Sequence, residues 1–488
     1  MRNKLHSSYH RYLNNLLDPE KDTTSKSFWK YIKARKQDTM GIGTLKSGVS
    51  IADTPLEKAN MLNNQFTSVF TKENQEYIPD KGPSPFKPMD KITITDAGVT
   101  KCINRLNEKK ASGPDKIPIT ILKKTAIAIT PVLSFIFQQS LDTGEIPQDW
   151  KNANVVPIFK KGDRTKPENY RPVSLTAVIS KMLEHIIVSQ IMDHLDRQNI
   201  LHENQHGFRA KRSCESQLLM TSDDIARQLN QGNQVDMAIL DFSKAFDKVP
   251  HIRLSNKLHY YGIQGSTRIW IDNFLSNRQQ QVVVDNATSI TTQVTSGVPQ
   301  GTVLGPCLFL IYINDIGDYV TSTIRLFADD CVLYRPVTNN TDNKQLQEDL
   351  NKLVNWSNTW QMEFNVKKCA IMQFTNTSKK KPYEYTMKGE LLDIVQHHPY
   401  LGVELSDTTL QHTHRQYLQK GLQHSWLFET KSEALSTKSE RTSISESSTN
   451  KTRICHTDLE PTPEKSNKAN RTNTEKCCKI CQKQTIPP

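Results

Sequence analysis

No apolar run in the chain is long enough to cross a bilayer. The longest, Cys307 to Ile313, falls far short of the roughly 20 residues a spanning helix needs. Met1 to Asn15 carries charge and no apolar stretch of the signal-peptide kind. Cysteine is sparse and odd in number, nine in all, with Cys102, Cys214, Cys307, Cys331 and Cys369 far apart in apolar or mixed segments. That spacing excludes a disulfide framework and reads as reduced, buried thiols. Acid is in deficit, with 51 Asp and Glu against 63 Lys and Arg, a net charge of +12 and a pI of about 9.1. Together these shortages predict a soluble intracellular protein whose excess positive charge favours a polyanionic partner, nucleic acid first.

At 488 residues with 36% apolar content the chain can bury a sizeable core in two or three domains, although its mean hydropathy is only −0.59. Residues 1–76 read as a basic, helical N-terminal extension. Phe28, Trp29 and Ile32 lie among lysines, and Thr54-x-x-Glu57 with Pro55 forms a capping box before Leu56, Ala59, Leu62, Phe66 and Val69 at helical spacing. That helix is expected to pack on another part of the molecule. Pro79, Pro83, Pro85 and Pro88 mark residues 77–90 as a linker.

Residues 91–410 read as globular. A helix is predicted from Pro131 to Gly144, a strand over 154–159, a helix over 180–199, a strand over 236–242, and two short strands around an Asp-Asp turn in 324–334. Helices and strands mix without strict alternation, which gives an α+β class. From 411 to 488 the chain is polar and aperiodic, with Ser and Thr filling 10 of the 20 residues from Lys431 to Asn450, and is expected to be disordered.

Two acidic spots carry chemical promise. Asp241 ends the apolar stretch Ala238-Ile239-Leu240, and Asp329-Asp330 sit between apolar segments. An acid at the end of a buried strand is destabilising unless neutralised, and a divalent cation such as Mg²⁺, which prefers carboxylate oxygen, neutralises several at once. Two such ions about 4 Å apart can support an in-line displacement at phosphorus. An Asp-Asp pair alone is weak: Asp223-Asp224 lies in a polar helical stretch and reads as a solvated face. Between the two spots, Ser296-Gly297-Val298-Pro299-Gln300-Gly301-Thr302 supplies a Gly- and Pro-containing backbone that permits close approach to a ligand.

Taken in order, the blocks from about Leu106 to Leu405 resemble the reverse transcriptases of non-LTR retrotransposons, the jockey-like group in particular. These blocks are Ala111-Ser112-Gly113-Pro114-Asp115; Val156 to Asp163 with Asn169 to Leu175; Gln205-His206-Gly207-Phe208-Arg209; Leu240 to Asp247; Gly297 to Thr302; Phe327-Ala328-Asp329-Asp330; Asn365 to Cys369; and Tyr400-Leu401-Gly402-Val403. Eight in order make a specific signal. The resemblance implies a right-hand polymerase fold, with fingers mainly in 91–235 and palm mainly in 236–410. It implies that Asp241, Asp329 and Asp330 are the catalytic acids and ligands of two Mg²⁺ ions, with Mn²⁺ as a substitute, and that Phe246 is the steric gate against a 2′-hydroxyl. Asp247, just beyond it, is read as structural. Arg171 would grip the triphosphate, where a planar fork of donors suits phosphate, with Lys160 or Lys161 assisting. Gln300 and Gly301 would line the nucleotide pocket, Lys368 would protonate pyrophosphate with Lys367 as its rival, and Tyr400, Leu401 and Gly402 would form the primer grip.

The implied partners are the element's RNA template, a DNA primer end and deoxynucleotides, with no membrane. Action is expected in the nucleus at the site of integration, and the cytoplasmic form as a ribonucleoprotein. The chain departs from the family pattern in two places. The upstream endonuclease of complete elements has no counterpart, so a longer polyprotein is expected. Residues 411–488 stand where a helical thumb belongs, so the thumb reads as aberrant or missing. Cys455-His456 and Cys477-Cys478-x-x-Cys481 lack a regularly spaced fourth ligand and are read as binding no metal. Lys379-Lys380-Lys381-Pro382 reads as a solvated hairpin tip rather than a nuclear-import signal. The alternative to an active polymerase is an inactive remnant that only binds RNA. A group II intron maturase or another right-hand polymerase is a third reading, disfavoured by the Phe-Ala-Asp-Asp and Ser-Lys-Ala-Phe-Asp forms and, for the maturase, by a tail that offers no RNA-binding module.

Overall fold

The computed structural model describes residues 41–377 and 380–407. The expectations for Phe28 to Ile32, for the thumb region and for the Cys455 to Cys481 cluster lie outside the described residues.

Part of the N-terminal extension is not helical. β1 (Leu45–Ser47) and β2 (Ser50–Ala52) pair antiparallel around Gly48, whose φ of +60° suits a tight turn. α1 (Pro55–Thr67) follows with the expected capping box: Thr54 Oγ1 accepts from the Glu57 N–H, and the Glu57 carboxylate accepts from the Thr54 N–H at 3.0 Å. Its apolar face, Ala59, Leu62 and Phe66, shares a buried cluster with Val155, Tyr170, Val282 and Val284.

Four helices precede the first large sheet: α2 (Asp96–Arg105), α3 (Ile119–Lys124), α4 (Ala126–Thr143) and the single turn α5 (Gln148–Lys151). α4 corrects the sequence reading. It begins five residues before Pro131, which sits inside it, and it ends as expected at Gly144, a left-handed cap with φ +74°. The missing proline N–H removes one helical hydrogen bond, yet Ala126 and Ile129 before it pack against the core and Leu133, Phe137 and Leu141 after it are buried there.

Two sheets frame the remainder. β3 (Asn152–Phe159) and β4 (Tyr170–Leu175) form an antiparallel pair, followed by α6 (Val178–Arg197) and α7 (Cys214–Asn230). β5 (Gln234–Asp241) leads to α8 (Ala245–Lys248), α9 (His251–Tyr260) and α10 (Gly265–Leu275). β6 (Arg278–Val284) returns to lie parallel to β3, carrying the short β7 (Ala287–Thr288) and β8 (Thr292–Val294). After α11 (Leu304–Ile313) come β9 (Thr323–Phe327), β10 (Asp330–Val337) and α12 (Asn340–Thr359). β11 (Ala370–Phe374) then completes the second sheet, followed by the short strands β12 (Thr386–Met387), β13 (Glu390–Leu391) and β14 (Asp393–Ile394), and by the hairpin β15 (His397–Tyr400) and β16 (Val403–Ser406). The second sheet runs β14-β11-β5-β10-β9, with β5 antiparallel to both β11 and β10. β5 is buried along its length until Asp241, so a slip of one residue would drive its packed side chains to the wrong face.

Residues 77–90 are not a free spacer. Lys81 Nζ lies 2.7 Å from the buried Asp315, Ser84 Oγ donates to the Tyr260 carbonyl, and the Met89 N–H donates to the Gly262 carbonyl. Just upstream, Glu73 pairs with buried Arg253 at 3.1 Å and accepts the N–H groups of Ile252 and Arg253 at the start of α9. Arg253 also donates to the carbonyls of Asn74, Tyr77 and Thr359. Two charged readings also change. Asp224 is not a solvated acid: it pairs with Arg325 and accepts from the Tyr334 hydroxyl. Lys381 is exposed, yet its backbone N–H donates to Gln234 and its Nζ to the carbonyls ending β10. Among the described residues no helix is long and apolar enough to cross a membrane.

His206 shows how a buried imidazole is kept neutral. Nε2 accepts from Arg212 at 2.8 Å, so Nδ1 carries the proton and donates to Ser216 Oγ at 2.9 Å. Burial, then the positive field of Arg212, Arg325 and Arg209, holds it down to about 4.

Two outcomes are expected. Arg253→Met leaves Glu73 without its cation and strips three carbonyls of a donor, and should lower unfolding free energy by about 3 kcal/mol in urea titration, with faster proteolysis within 74–90. For His206, the unfolded imidazole takes up a proton below about pH 6.5 that the folded one refuses, so stability present above that pH is lost as pH falls toward 4. The loss should reach about 3 kcal/mol, and His206→Gln should flatten that limb of the pH–stability curve.

Candidate active site

The sheet brings the sequence-distant acids together. Asp241, the last residue of β5, and Asp330, the first of β10, are register partners across an antiparallel pair. Asp330 also pairs with Phe327, which leaves Ala328 and Asp329 as a two-residue turn between β9 and β10. Ala328 has φ +55°, a conformation an L-residue adopts only when held there. The holding comes from Gln205, whose side-chain oxygen accepts the N–H groups of Ala328 (3.0 Å) and Gly207 (2.8 Å). The His206 N–H donates to the Leu326 carbonyl, and the Leu326 N–H to the Asn204 carbonyl, so this segment runs beside β9. A Cβ on Gly207 would lie 2.3 Å from the Ala328 nitrogen, so only glycine allows this approach. The sequence block Gln205 to Arg209 signalled importance; its part as a buttress needed the structure.

Burial first, and the neighbouring acids second, raise the carboxyls of the turn. Desolvation in the cleft pushes Asp330 up to about 7, with Asp329 and Asp241 pushing the same way and Lys160 and Arg171 opposing. Desolvation also raises Asp329, with Arg171 opposing and Asp241 adding. The cations feel the same crowding. Desolvation, then Arg171 and Lys368, lower Lys160, and Asp241 counters them. Arg171, Lys160, Lys368 and the three acids therefore share one electrostatic field. Lys368 lies 3.2 Å from the Asp241 carboxylate, whereas no contact joins Lys367 to these acids among the described residues. The segment bearing Lys368 is itself stapled to Asp241, whose carbonyl accepts the Asn365 N–H at 2.8 Å.

Phe246 stacks on Phe309 at 4.5 Å between ring centroids and meets the Phe208 edge at 6.2 Å. Gln300 links β4 to α8. Its carbonyl accepts the Ser174 N–H of β4 at 2.7 Å, and its side-chain nitrogen donates to Asp247 at 3.0 Å. Gly301 has φ +104°, and a Cβ there would meet the Ser174 carbonyl at 2.6 Å. Tyr400 is buried at the end of β15, with its hydroxyl accepting from Gln217 at 3.3 Å; Leu401 and Gly402, both with positive φ, make the turn to β16. Burial raises the Tyr400 phenol, Gln217 opposes and Asp330 adds, which puts this hairpin within the field of the acids. Lys161 is exposed and no contact ties it to the site among the described residues.

Among the described residues no three His, Cys, Asp or Glu side chains already converge as a metal-ligand cluster. The donor chemistry nonetheless fits Mg²⁺, which in nucleotide sites takes one or two carboxylates and fills its remaining positions with water and phosphate oxygen. Asp236 was missed in the sequence. It is buried within β5 and satisfied by Tyr385, Gln234, Asn343 and Gln373, so its part is to tie strands and helix together.

The profile of the family described as reverse transcriptase (RNA-dependent DNA polymerase) matches residues 158–405, which carry every acid just described. The RNA-directed DNA polymerase from mobile element jockey of Drosophila melanogaster is 28% identical over 407 residues, covering 78% of this chain and 44% of the relative. The probable RNA-directed DNA polymerase from transposon BS of the same species is 28% identical over 438 residues, covering 83% and 47%. That from transposon X-element is 29% identical over 325 residues, covering 64% and 34%. The chain spans less than half the length of these curated relatives. With a palm and fingers arrangement, and with relatives of this kind along most of its length, the chain belongs to the reverse transcriptase family, in the jockey-like group of non-LTR retrotransposons.

Proposed function

We propose that this chain is the RNA-directed DNA polymerase of its element, extending a DNA 3′-end on an RNA template by nucleotidyl transfer at Asp241, Asp329 and Asp330. The observation that carries the proposal is the cross-strand register of Asp241 and Asp330 with Asp329 in the adjoining turn, faced by Arg171, Lys160 and Lys368. In the reaction the primer 3′-oxygen bonds to the α-phosphorus as the bond to pyrophosphate breaks. Two Mg²⁺ ions, when bound, lower the pKa of the attacking hydroxyl and stabilise charge on the leaving oxygen. Asp241 and Asp329 would hold them as the principal ligands, with Asp330 as the weaker third. Arg171 receives the triphosphate through its fork of donors, with Lys160 beside it. Lys368, whose Nζ lies 3.2 Å from the Asp241 carboxylate, is read as the acid for the departing pyrophosphate in preference to Lys367. Phe246, held flat on Phe309, presents a rigid edge to the sugar. Tyr400, Leu401 and Gly402 form the turn that would support the primer end. Action in the nucleus at the integration site belongs to the same reading.

Primer extension on an RNA template with Mg²⁺ and dNTPs tests the reading. Asp329→Asn should lower extension by at least about a hundredfold, the scale of losing one preorganised charge-stabilising group. Incorporation that survives that change would remove the acids from the chemistry, and no incorporation by the unaltered chain, with salt-sensitive RNA binding retained, would favour a binding-only remnant. Lys368→Ala should reduce single-turnover extension by about a hundredfold, and Lys367→Ala by no more than about twofold; the reverse order would exchange their roles.

A further inference from the structure

Asp247 follows the gate residue Phe246 in α8, and its backbone is docked to the Gly297 loop. Its carbonyl accepts from Ser296 Oγ at 2.8 Å, and the Phe246 carbonyl accepts the Val298 N–H at 2.7 Å. Gly297, with φ +87°, packs so closely that a Cβ there would fall 2.6 Å from the Asp247 carbonyl oxygen. The side chain is therefore fixed relative to the loop that ends in Gln300. Burial pushes its carboxyl up to about 6, against Gln300, Lys244 and Arg171. The Gln300 amide nitrogen donates to the Asp247 carboxylate oxygen at 3.0 Å, the only role an amide N–H can take, and the amide oxygen is thereby turned away. An unrestrained amide would take either orientation at similar energy.

We infer that Asp247 is a positioning residue for nucleotide selection: by holding the nitrogen of the Gln300 amide, it leaves the amide oxygen as the acceptor offered to a sugar hydroxyl of the incoming nucleotide. The inference rests on the reading that Gln300 lines the nucleotide pocket. It assigns Asp247 a part beyond packing, because a purely structural acid would be indifferent to which end of the amide faces the ligand. The Gln300 backbone is pinned separately, to Ser174, so the amide orientation is the freedom Asp247 removes.

The test uses the full chain, with dNTP KM, kcat and melting temperature measured for three variants. Asp247→Asn is isosteric and lets the amide face either way; KM should rise about fivefold with kcat within about twofold, the scale of one hydrogen bond. Gln300→Glu sets two carboxylates against each other; KM should rise by more than about tenfold and the melting temperature should fall. Combining the two lets the new amide donate to the new carboxylate, whose second oxygen again faces outward, so KM should return to the level of Asp247→Asn and the melting temperature should recover. A raised KM in Gln300→Glu with no recovery in the double variant overturns the inference alone. An unchanged KM in Gln300→Glu overturns the placement of Gln300 and the inference with it. Asp247→Asn that lowers melting temperature and kcat while leaving KM alone would return the residue to a structural role.

Discussion

Repulsion among carboxylates at one edge of a sheet is the constraint around which this molecule is organised. Like charges placed opposite each other on neighbouring strands are destabilising, and here Asp241 and Asp330 are so placed, with Asp329 in the adjoining turn. The surrounding structure resists the relaxation such repulsion would drive. β5 cannot slip because it is buried along its length. The Ala328–Asp329 turn cannot relax its positive φ because Gln205 grips it from behind and Gly207 leaves no space. Asp241 cannot swing freely because Lys368 and the Asn365 N–H hold its two ends, carboxylate and carbonyl.

The same economy of buried polar contacts joins segments far apart in sequence. Asp315, fully buried, receives Lys257, Lys81 and the Trp356 indole, so one carboxylate fastens α9, α12 and the proline-containing strap. Arg253 fastens that strap again. Gln300 fastens β4 to α8, through its carbonyl to Ser174 and its amide to Asp247. Each of these contacts is expensive to leave unmade, which gives the joints definite geometry rather than mere adhesion.

What the sequence disclosed follows from how local each signal is. The capping box at Thr54, the cap at Gly144 and the strand ending on Asp241 depend on residues within one or two turns, and they were legible. Pro131 misled because proline usually opens a helix, whereas here the apolar face on both sides of it supplies enough packing to keep the helix continuous through the lost hydrogen bond. The strap over 77–90 looked like a linker because its partners, Asp315, Tyr260 and Gly262, lie some 170 residues or more along the chain. Asp224 looked solvated for the same reason, since Arg325 and Tyr334 reach it only in the folded sheet. The acids and their order could be read; that Gln205 supports the turn, or that Asp247 meets Gln300, could not, because no periodicity records which side of a loop faces which.

Charge in the cleft also bears on why metal and nucleotide should arrive together under the proposed function. The acids repel one another, and the cations Lys160, Arg171 and Lys368 repel one another within the same space. A divalent cation alone relieves the first repulsion and adds to the second. A triphosphate alone does the reverse. A nucleotide carrying its metal relieves both, so each ligand must raise the affinity for the other by the same factor. Under that reading, the mixed field would favour a phosphate ligand that carries its divalent cation over either the phosphate or the cation alone.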